Sequence, residues 1–423
     1  MKHSALQLSV FGEKFAGQTG ASSLMDDLGG ALNDNPNMLF MGGGNPSRIP
    51  AMEALFAERM ASMARNSDQL FGALGVYKSP QGDRAFLAAL AKMLSNICGW
   101  ELTERNLAIS NGSQSAFFVL FNLFAGRMPD GSKRHIQLPL APEYLGYADS
   151  GLSEDFFRST KPTIELLEGN LFKYHVDFEA LALTDATAAV CVSRPTNPTG
   201  NVISDDELQQ LDRLARAQGV PLIIDNAYGT PFPNILFTDA KPFWNDNTIL
   251  LLSLSKLGLP GVRTGIVVAN ESVIRAFSNA NAVLNLASGN MGPALVQPWI
   301  ESGELIQLCE RHVRPHYRNK VGAALTQCRE ALAGTPFRVH RPEGALFLWL
   351  WFPDLPITSD ELYRRLKKRG VLVVSGHHFF PGLTEPWAHQ HECIRVNYGQ
   401  DADTVRRGFA IIGDEVARAY SHG

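Results

Sequence analysis

The chain has 423 residues, of which 45% are hydrophobic and 19% charged, a composition typical of a globular protein with a main core and a second domain. A formal net charge of −4 excludes the extended basic surface on which nucleic-acid binding depends. No apolar run approaches the ~20 residues of a transmembrane helix, and no secretory signal is expected at the N-terminus. The five cysteines form no CxxC pair, which favours a reducing cytoplasm over a disulfide framework or a zinc cluster.

Helix-like and strand-like patterns alternate along most of the chain. Amphipathic segments, for example 81–94 and 205–217, predict helices. Short β-rich runs predict strands at 135–140, 188–193, 221–225, 248–252 and 265–269. The alternation predicts an α/β fold with a mainly parallel sheet between helices, in which ligands lie at the carboxyl ends of the strands.

A different organisation follows residue 310. A long helix is predicted at 305–332, with shorter elements at 337–340, 345–351, 359–369, 371–374, 393–398 and 403–419. These elements predict a smaller α/β domain that the N-terminal segment joins. We therefore expect a large domain at 51–310 and a small domain made of 1–50 with 311–423, with boundaries uncertain by several residues.

Lys256 comes just after the apolar run 248–252. A lysine at the end of a buried strand is poorly solvated, which lowers its pKa and favours the nucleophilic amine. Ser253, Ser255 and Arg263 are suitable partners for a phosphate dianion. An amine that can attack an aldehyde, beside phosphate ligands, suggests pyridoxal phosphate, although this segment alone does not decide it.

Two further candidates follow predicted strands. Asp225 ends the run 221–225, where its carboxylate could keep a pyridine nitrogen protonated, and Tyr228 could offer a hydroxyl on the same side. Asn197 lies in the turn 194–200, from which its amide could bind a ring oxygen. Each also has a purely structural explanation, since Asp and Asn are common at caps and turns.

Three more positions could complete a binding site. Gly112, Ser113 and Gln114 begin a predicted helix, where free N–H groups attract a phosphate or simply receive a cap. Tyr144 could stack on a planar ring or fill the core. Arg395 lies on a half-buried strand and needs an anion, either a substrate carboxylate or an internal carboxylate. The histidine groups 312/316, 377/378 and 389/391 lack a second ligand set, so no metal site is predicted.

The order and spacing of these candidate residues indicate a function more specifically than any one of the residues does. Asn197, Asp225 and Lys256 are separated by 28 and 31 residues, and each follows a predicted strand. Together with the helix start at 112–114, Tyr144 and Arg263, this pattern resembles the fold-type I pyridoxal-phosphate enzymes, specifically the class I/II aminotransferases. The resemblance covers essentially the whole chain and includes the segments 42–46, 77–82, 342–347 and Arg395.

The segments 41–46, 111–118, 139–144, 192–197 and 376–382 narrow the resemblance to the branch that exchanges amino groups between valine and pyruvate. The run 77–80 departs from the family, which commonly has a glycine before that proline. The resemblance implies pyridoxal 5'-phosphate as cofactor and a homodimer with shared active sites. The side-chain preference rests on the resemblance alone, because one methylene contributes only ~1–3 kcal/mol to discrimination.

The resemblance also implies a role for each candidate residue. Lys256 would hold the cofactor and carry a proton, Asp225 would pair with the ring nitrogen, and Tyr144 would stack on the ring. The remaining roles would be contact with the ring oxygen (Asn197, Tyr228), phosphate binding (Gly112, Ser113, Gln114, Ser253, Ser255, Arg263, and Tyr77 from the neighbouring subunit) and binding of the substrate carboxylate (Gly44, Asn197, Arg395).

Three alternatives stay open at this point. The same scaffold could run another reaction, such as β-elimination, decarboxylation or transamination of other neutral, aromatic or acidic amino acids. It could serve as a non-catalytic effector-binding module, although no DNA-binding extension precedes residue 40. It could also be a catalytically inactive homologue, which the intact lysine, aspartate and arginine disfavour.

Overall fold

The fold is taken from a computed structural model that describes residues 7–17 and 20–422. The helices are α1 (Val10–Ala16), α2 (Gly20–Asp34), α3 (Pro50–Arg65), α4 (Ser67–Leu74), α5 (Arg84–Cys98), α6 (Ser113–Phe124), α7 (Asp205–Ala217), α8 (Glu271–Asn285), α9 (Met291–Glu301), α10 (Glu304–Leu308), α11 (Arg314–Ala331), α12 (Ser359–Lys368) and α13 (Ala402–His422). None of these helices is long and apolar enough to cross a membrane.

The strands fall into two large sheets and one short pair. They are β1 (Leu39–Phe40), β2 (Leu107–Ser110), β3 (Gly126–Arg127), β4 (Lys133–Leu138), β5 (Phe157–Ser159), β6 (Thr163–Leu167), β7 (Leu171–His175), β8 (Thr187–Ser193), β9 (Leu222–Asp225), β10 (Thr248–Ser253), β11 (Gly265–Val268), β12 (Arg338–His340), β13 (Phe347–Trp351), β14 (Val371–Leu372), β15 (Val374–Ser375) and β16 (Cys393–Asn397).

The first sheet has eight strands in the order β2-β11-β10-β9-β8-β4-β3, with β5 also paired to β4. Strands β10, β9, β8, β4 and β5 run parallel, while β11 is antiparallel to both of its neighbours. Every residue of β8 and β10 is buried, as expected for strands covered by helices on both faces. Because Ser193 pairs with Asp225, the carboxyl ends of β8 and β9 lie side by side.

The second sheet has six strands in the order β15-β16-β13-β12-β7-β6. It includes the hairpin β6–β7, which comes from within the range 51–310 assigned above to the large domain and pairs through β7 with β12. The domain division stays a prediction, and its residues 1–6, 18–19 and 423 lie outside the described residues. Strand β1 pairs with β14, so the N-terminal segment joins this half of the molecule.

The predicted α/β architecture is confirmed, and most predicted elements are present. Helix α7 has the predicted bounds, and its Ser204 and Glu207 form a capping box. The predicted helix 305–332 contains a π-helical turn at Cys309–Val313, which ends two residues before Pro315, a residue without an N–H for the regular bonding pattern. The predicted strand 371–374 is divided between β14 and β15, which pair with different strands.

Candidate active site

A cavity of about 480 Å³ lies at the carboxyl ends of β8, β9 and β10. Its floor comes from the first sheet, and its other walls come from α2, the segment 42–45 and β16. Twelve of the predicted site residues line it: Gly44, Ser113, Gln114, Tyr144, Asn197, Asp225, Tyr228, Ser253, Ser255, Lys256, Arg263 and Arg395. Residues from distant parts of the sequence therefore meet at one place, as the parallel sheet predicts.

Lys256 lies in a 3₁₀ turn directly after β10. Its Nζ donates to the Gly44 carbonyl oxygen at 2.7 Å and lies 5.2 Å from the centre of the Tyr228 ring. Burial and the positive charge of Arg395 lower the pKa of Lys256 to about 8, while Asp225 opposes this shift. About a tenth of the amine is therefore neutral and nucleophilic at pH 7, far more than for a lysine with an ordinary pKa.

Asp225 is the last residue of β9 and faces the same cavity. Its Oδ2 accepts a hydrogen bond from the Tyr147 hydroxyl at 2.8 Å, and its Oδ1 accepts one from the Ala227 N–H at 3.1 Å. Burial raises the pKa of Asp225, whereas these hydrogen bonds and the Lys256 charge act in the opposite direction. The carboxylate is held from behind and presents its free lone pairs to the cavity.

The start of α6 and Arg263 form an anion cradle. Gly112, with φ of 89°, precedes α6, and no side chain caps the helix, so the first N–H groups are free. A Cβ on Gly112 would lie 2.1 Å from Nη2 of Arg263, so only glycine allows the guanidinium to lie this close to the helix start. Gly112 thus shapes the cradle from behind the cavity lining, where Ser113, Ser253 and Ser255 add hydroxyl groups.

Arg395 lies on β16 with only 4% of its surface exposed. Nη1 donates to Asn197 Oδ1 at 2.7 Å and Nη2 donates to the Gly42 carbonyl at 2.6 Å. The guanidinium lies 4.2 Å from the centre of the Phe347 ring, and its buried Nε has no hydrogen-bond partner among the described residues. A guanidinium has five N–H donors, so this buried cation has hydrogen bonds left for an anion in the cavity.

Two predicted residues make other contacts. Gln114 lines the cavity and donates through Nε2 to the Gly146 carbonyl at 2.8 Å. Tyr77 lies between α4 and α5, outside the cavity lining, with 80% of its surface exposed. Its position is compatible with a contact to a neighbouring subunit, and that role stays a prediction.

Sequence reasoning missed two sets of residues. Leu24, Leu28 and Leu32 of α2 line the cavity, and their spacing of four was a visible sign of one helix face. Tyr147 was not considered, although it follows Tyr144 by three residues and its ring lies 5.4 Å from the Tyr144 ring in an edge-on arrangement. Nothing in the sequence indicated that its hydroxyl would reach Asp225.

Comparison with known proteins decides the family. The sequence pattern of the family aminotransferase class I and II matches residues 154–412 of the chain. The chain is 50% identical over 416 residues to the valine–pyruvate aminotransferase of Escherichia coli K12, covering 98% of this chain and 99% of the other. The chain belongs to the class I and II aminotransferases.

Solved structures of similar proteins agree with this assignment. A putative amino-acid aminotransferase from Psychrobacter arcticum superposes with a TM-score of 0.96 at 43% identity, covering 99% of this chain and all of the other. The valine–pyruvate aminotransferase of Salmonella typhimurium gives a TM-score of 0.88 at 50% identity, covering 96% of this chain and all of the other. The resemblance that the sequence motifs indicated is confirmed.

Class I and II aminotransferases depend on pyridoxal 5'-phosphate, and the residues of the cavity fit this cofactor. Lys256 supplies an amine of lowered pKa, and Asp225 supplies a carboxylate at the same floor. The cradle of α6 and Arg263 suits a phosphate dianion. One cavity thus brings together an amine, a carboxylate and an anion cradle, the three kinds of group that the predicted cofactor requires.

Proposed function

We propose that this aminotransferase transfers the amino group of L-valine to pyruvate, giving 3-methyl-2-oxobutanoate and L-alanine. The observation that carries the proposal is the set of apolar side chains in the cavity lining, here called the apolar wall: Leu24, Leu28 and Leu32 of α2 with Phe40 and Val374. The 50% identity to the E. coli valine–pyruvate aminotransferase over nearly the full length also supports it.

The charges of the cavity favour a substrate with an uncharged side chain. Its cationic lining residues are Lys256, Arg263 and Arg395 among the residues that the structure describes. With Arg263 at the phosphate and Arg395 at the α-carboxylate, no arginine is left for a second carboxylate. The side chain of the substrate then faces the apolar wall, where burying methyl groups is favourable.

The apolar wall lies directly beside the carboxylate anchor. A Cβ on Gly42 would lie 3.4 Å from Cδ2 of Leu28, and the Gly42 carbonyl accepts the Arg395 hydrogen bond. A Cβ on Gly43 would overlap the Phe40 ring at 2.4 Å. An amino acid held at Arg395 therefore has Leu28 and Phe40 within reach of a short aliphatic side chain.

The lining residues offer a partner for each part of the cofactor. Lys256 would hold its aldehyde end through Nζ, Asp225 would accept a hydrogen bond from the ring nitrogen, and Tyr144 would pack on the ring. Asn197 and Tyr228 would contact the ring oxygen, and the phosphate would be bound by Ser113, Gln114, Ser253, Ser255, Arg263 and the N–H groups that follow Gly112. When bound, pyridoxal phosphate supplies an electron sink for the charge that develops at the substrate Cα.

The substrate is positioned by its carboxylate and deprotonated by the lysine. Arg395, Asn197 and the backbone at Gly44 bind the α-carboxylate, first of the amino acid and then of the oxo acid. The free Lys256 amine would act as the general base that takes the Cα proton of the bound substrate and later returns one. Its pKa of about 8 suits both directions near neutral pH.

A screen of single amino donors tests the proposed substrate. The purified holoenzyme is mixed with L-valine, L-alanine, L-phenylalanine or L-aspartate, and the loss of the cofactor absorption band is followed without an acceptor. We expect rapid conversion by valine and alanine and at least about tenfold slower conversion by the other two. Fastest conversion by phenylalanine or aspartate would replace valine with that class of substrate.

We also propose that the active enzyme is a cytoplasmic homodimer in which Tyr77 of each chain contacts the phosphate in the other. Tyr77 lies on a face where Phe71, Leu74 and Val76 are also exposed, an apolar surface suited to a second copy. The five cysteines are free thiols, as is usual in a reducing compartment.

Hybrid dimers test the shared site. Inactive Lys256→Ala and impaired Tyr77→Ala chains are co-expressed with different tags and purified through both. Each hybrid has one site with both wild-type residues, so its activity should exceed that of either parent severalfold. A monomer in sedimentation, or hybrids no better than Tyr77→Ala alone, would remove Tyr77 from this role.

A further inference from the structure

Three side chains form a hydrogen-bonded line that ends at Asp225. Oε2 of Glu143 lies 2.6 Å from the Ser193 hydroxyl, which lies 3.2 Å from the Tyr147 hydroxyl. The Tyr147 hydroxyl lies 2.8 Å from Oδ2 of Asp225. Glu143 and Tyr147 are completely buried and Ser193 is 2% exposed, so water does not supply hydrogen bonds to this line.

Counting hydrogens shows what the line requires. It has three oxygen-to-oxygen contacts, and the two hydroxyl groups supply one hydrogen each. With both carboxyls ionised, one contact has no hydrogen. One proton shared by the two carboxyls completes all three contacts, and then every hydrogen bond points toward the carboxyl that remains ionised.

The surroundings decide which carboxyl holds this proton. Asp225 faces the cavity and feels the positive charge of Lys256. The ionisable groups that face Glu143 are Asp225, Tyr147 and Cys191, and none of the described lysines, arginines or histidines forms an ion pair with it. A buried carboxyl without a cation favours the neutral form, whereas Asp225 has a cation beside it.

We propose that Glu143 is a positioning residue for Asp225: it stays protonated and aligns Ser193 and Tyr147 so that both donate toward the Asp225 carboxylate. The negative charge is then fixed at the cavity, where the ring nitrogen of the cofactor binds. Burial raises the pKa of Glu143 to about 8 and that of Tyr147 well above its usual range, which keeps both protonated near neutral pH.

Glu143 also connects this line to the rest of the site. Its oxygens accept hydrogen bonds from the N–H groups of Ser193 at 2.8 Å and Tyr144 at 3.1 Å. Its own N–H donates to the Phe379 carbonyl at 2.8 Å, and the Phe379 ring lies 5.0 Å from the Arg395 guanidinium. The inference rests on the cofactor assignment and is independent of which amino acid is the substrate.

Infrared spectroscopy of the holoenzyme tests the position of the proton. At pH 7 the wild type should show the carbonyl stretch of a protonated carboxyl, and Glu143→Gln should lack it. The wild-type signal should disappear as the pH rises through about 8. An identical carboxyl spectrum in Glu143→Gln at pH 7 would overturn the proposal.

Cofactor dissociation constants test the positioning. Tyr147→Phe removes the donor to Asp225 and should weaken binding of pyridoxal phosphate about tenfold or more, since hydrogen bonds to charged groups are among the stronger ones. Tyr174→Phe is the matched control, because it removes another fully buried hydroxyl, bonded to Trp349 in the second sheet, and should leave the affinity unchanged. Equal affinities in the two variants would contradict the proposal.

The conservative variant separates positioning from packing. Glu143→Gln keeps a donor to the Ser193 hydroxyl and an acceptor for the Ser193 N–H, and it loses only the longer acceptor contact with the Tyr144 N–H. Its cofactor affinity should therefore stay within about threefold of wild type. Glu143→Ala should lose about tenfold or more. If Glu143→Ala does not fold, the infrared result and the Tyr147→Phe comparison still decide. If Glu143→Gln bound the cofactor as weakly as Tyr147→Phe, a neutral donor at position 143 would not be sufficient for positioning, and the proposal would be contradicted.

Discussion

At the scale of single residues, Lys256 is governed by opposing influences. Burial and the nearby Arg395 and Arg263 favour the neutral amine, whereas Asp225 favours the ammonium form. The influences that favour the neutral amine are stronger, and the pKa of Lys256 falls to about 8 from an ordinary value of 10.5. The cavity therefore prepares the lysine for attack on an aldehyde before any cofactor is present.

This shift predicts the pH dependence of cofactor attachment. Only the neutral amine attacks, so its rate of reaction with pyridoxal phosphate in the cofactor-free protein should rise about tenfold per pH unit below pH 8 and level off above it. Stopped-flow absorbance measures this rate. An ordinary lysine would still gain rate up to about pH 10, and that profile would contradict the structure.

Substitutions of Arg395 and Arg263 should separate substrate binding from cofactor binding. Arg395→Lys keeps the charge but loses the planar fork that contacts Asn197 and Gly42, so the KM for both valine and pyruvate should rise about 10- to 100-fold. Arg263→Lys, at the phosphate end, should instead weaken cofactor binding. Steady-state kinetics with saturating cofactor separates the two, and an unchanged KM in Arg395→Lys would remove Arg395 from the carboxylate site.

Sequence reasoning was most successful where a residue type, its neighbours and its place after a strand all agree. Asn197, Asp225 and Lys256 each follow an apolar run, and the parallel sheet brings such positions together. It was least successful for Tyr147, whose importance depends on a contact with a residue 78 positions away. Hydrogen bonds between distant residues leave no periodic pattern in the sequence.

At the scale of elements, α2 forms one wall of the cavity and is fixed in place by contacts with α12 outside the cavity. Its Asp27 contacts Tyr363 and lies 2.6 Å from Nζ of Lys367, both on α12. Its leucines Leu24 and Leu28 are buried against the cavity. The leucine spacing indicates a helix, but which surface that helix covers depends on contacts with residues more than 300 positions away.

Shortening one α2 side chain should change substrate preference. Leu28→Ala removes part of the apolar wall and so enlarges the space for the substrate side chain. The kcat/KM for a larger aliphatic or aromatic amino acid, divided by the kcat/KM for valine, should therefore rise by at least about tenfold. Leu362→Ala, in the buried face of α12, is a control that should lower stability without changing this ratio. The ratio is measured with each donor in turn, and an unchanged value in Leu28→Ala would place the side-chain pocket elsewhere.

At the scale of the whole molecule, the two sheets differ in how far sequence reveals them. Each predicted strand of the first sheet overlaps an observed one, because continuous apolar runs mark buried strands, whether parallel or, like β11, antiparallel. The hairpin β6–β7 was not predicted, and its pairing with β12 joins residues more than 160 positions apart. Short strands on mixed polar sequence give a weak local signal, and their partners are decided by the assembled fold.

Two buried histidines make stability depend on pH: His340 lies on β12 of the second sheet, and His389 lies in a short turn that packs against Tyr174 and Trp351 of that sheet. Burial lowers the pKa of His389 to about 3 and that of His340 well below its usual range. Both are neutral when folded but bind protons below about pH 6.5 when unfolded. Stability should therefore be fully present above pH 6.5 and fall by about 2 kcal/mol for each histidine by pH 5. Urea unfolding at several pH values measures this loss. In His389→Gln the free energy of unfolding should fall less steeply between pH 6.5 and pH 5 than in the wild type.

The proposed function requires that Lys256 carry the cofactor and that a small aliphatic amino acid transfer its amino group to the cofactor there. Borohydride reduction followed by peptide mass spectrometry tests both parts in one experiment. We expect pyridoxal phosphate to be trapped on Lys256, incubation with L-valine before reduction to prevent the trapping, and incubation with L-aspartate to leave it unchanged. Trapping on another lysine, or full labelling of Lys256 after incubation with L-valine, would contradict the proposed function.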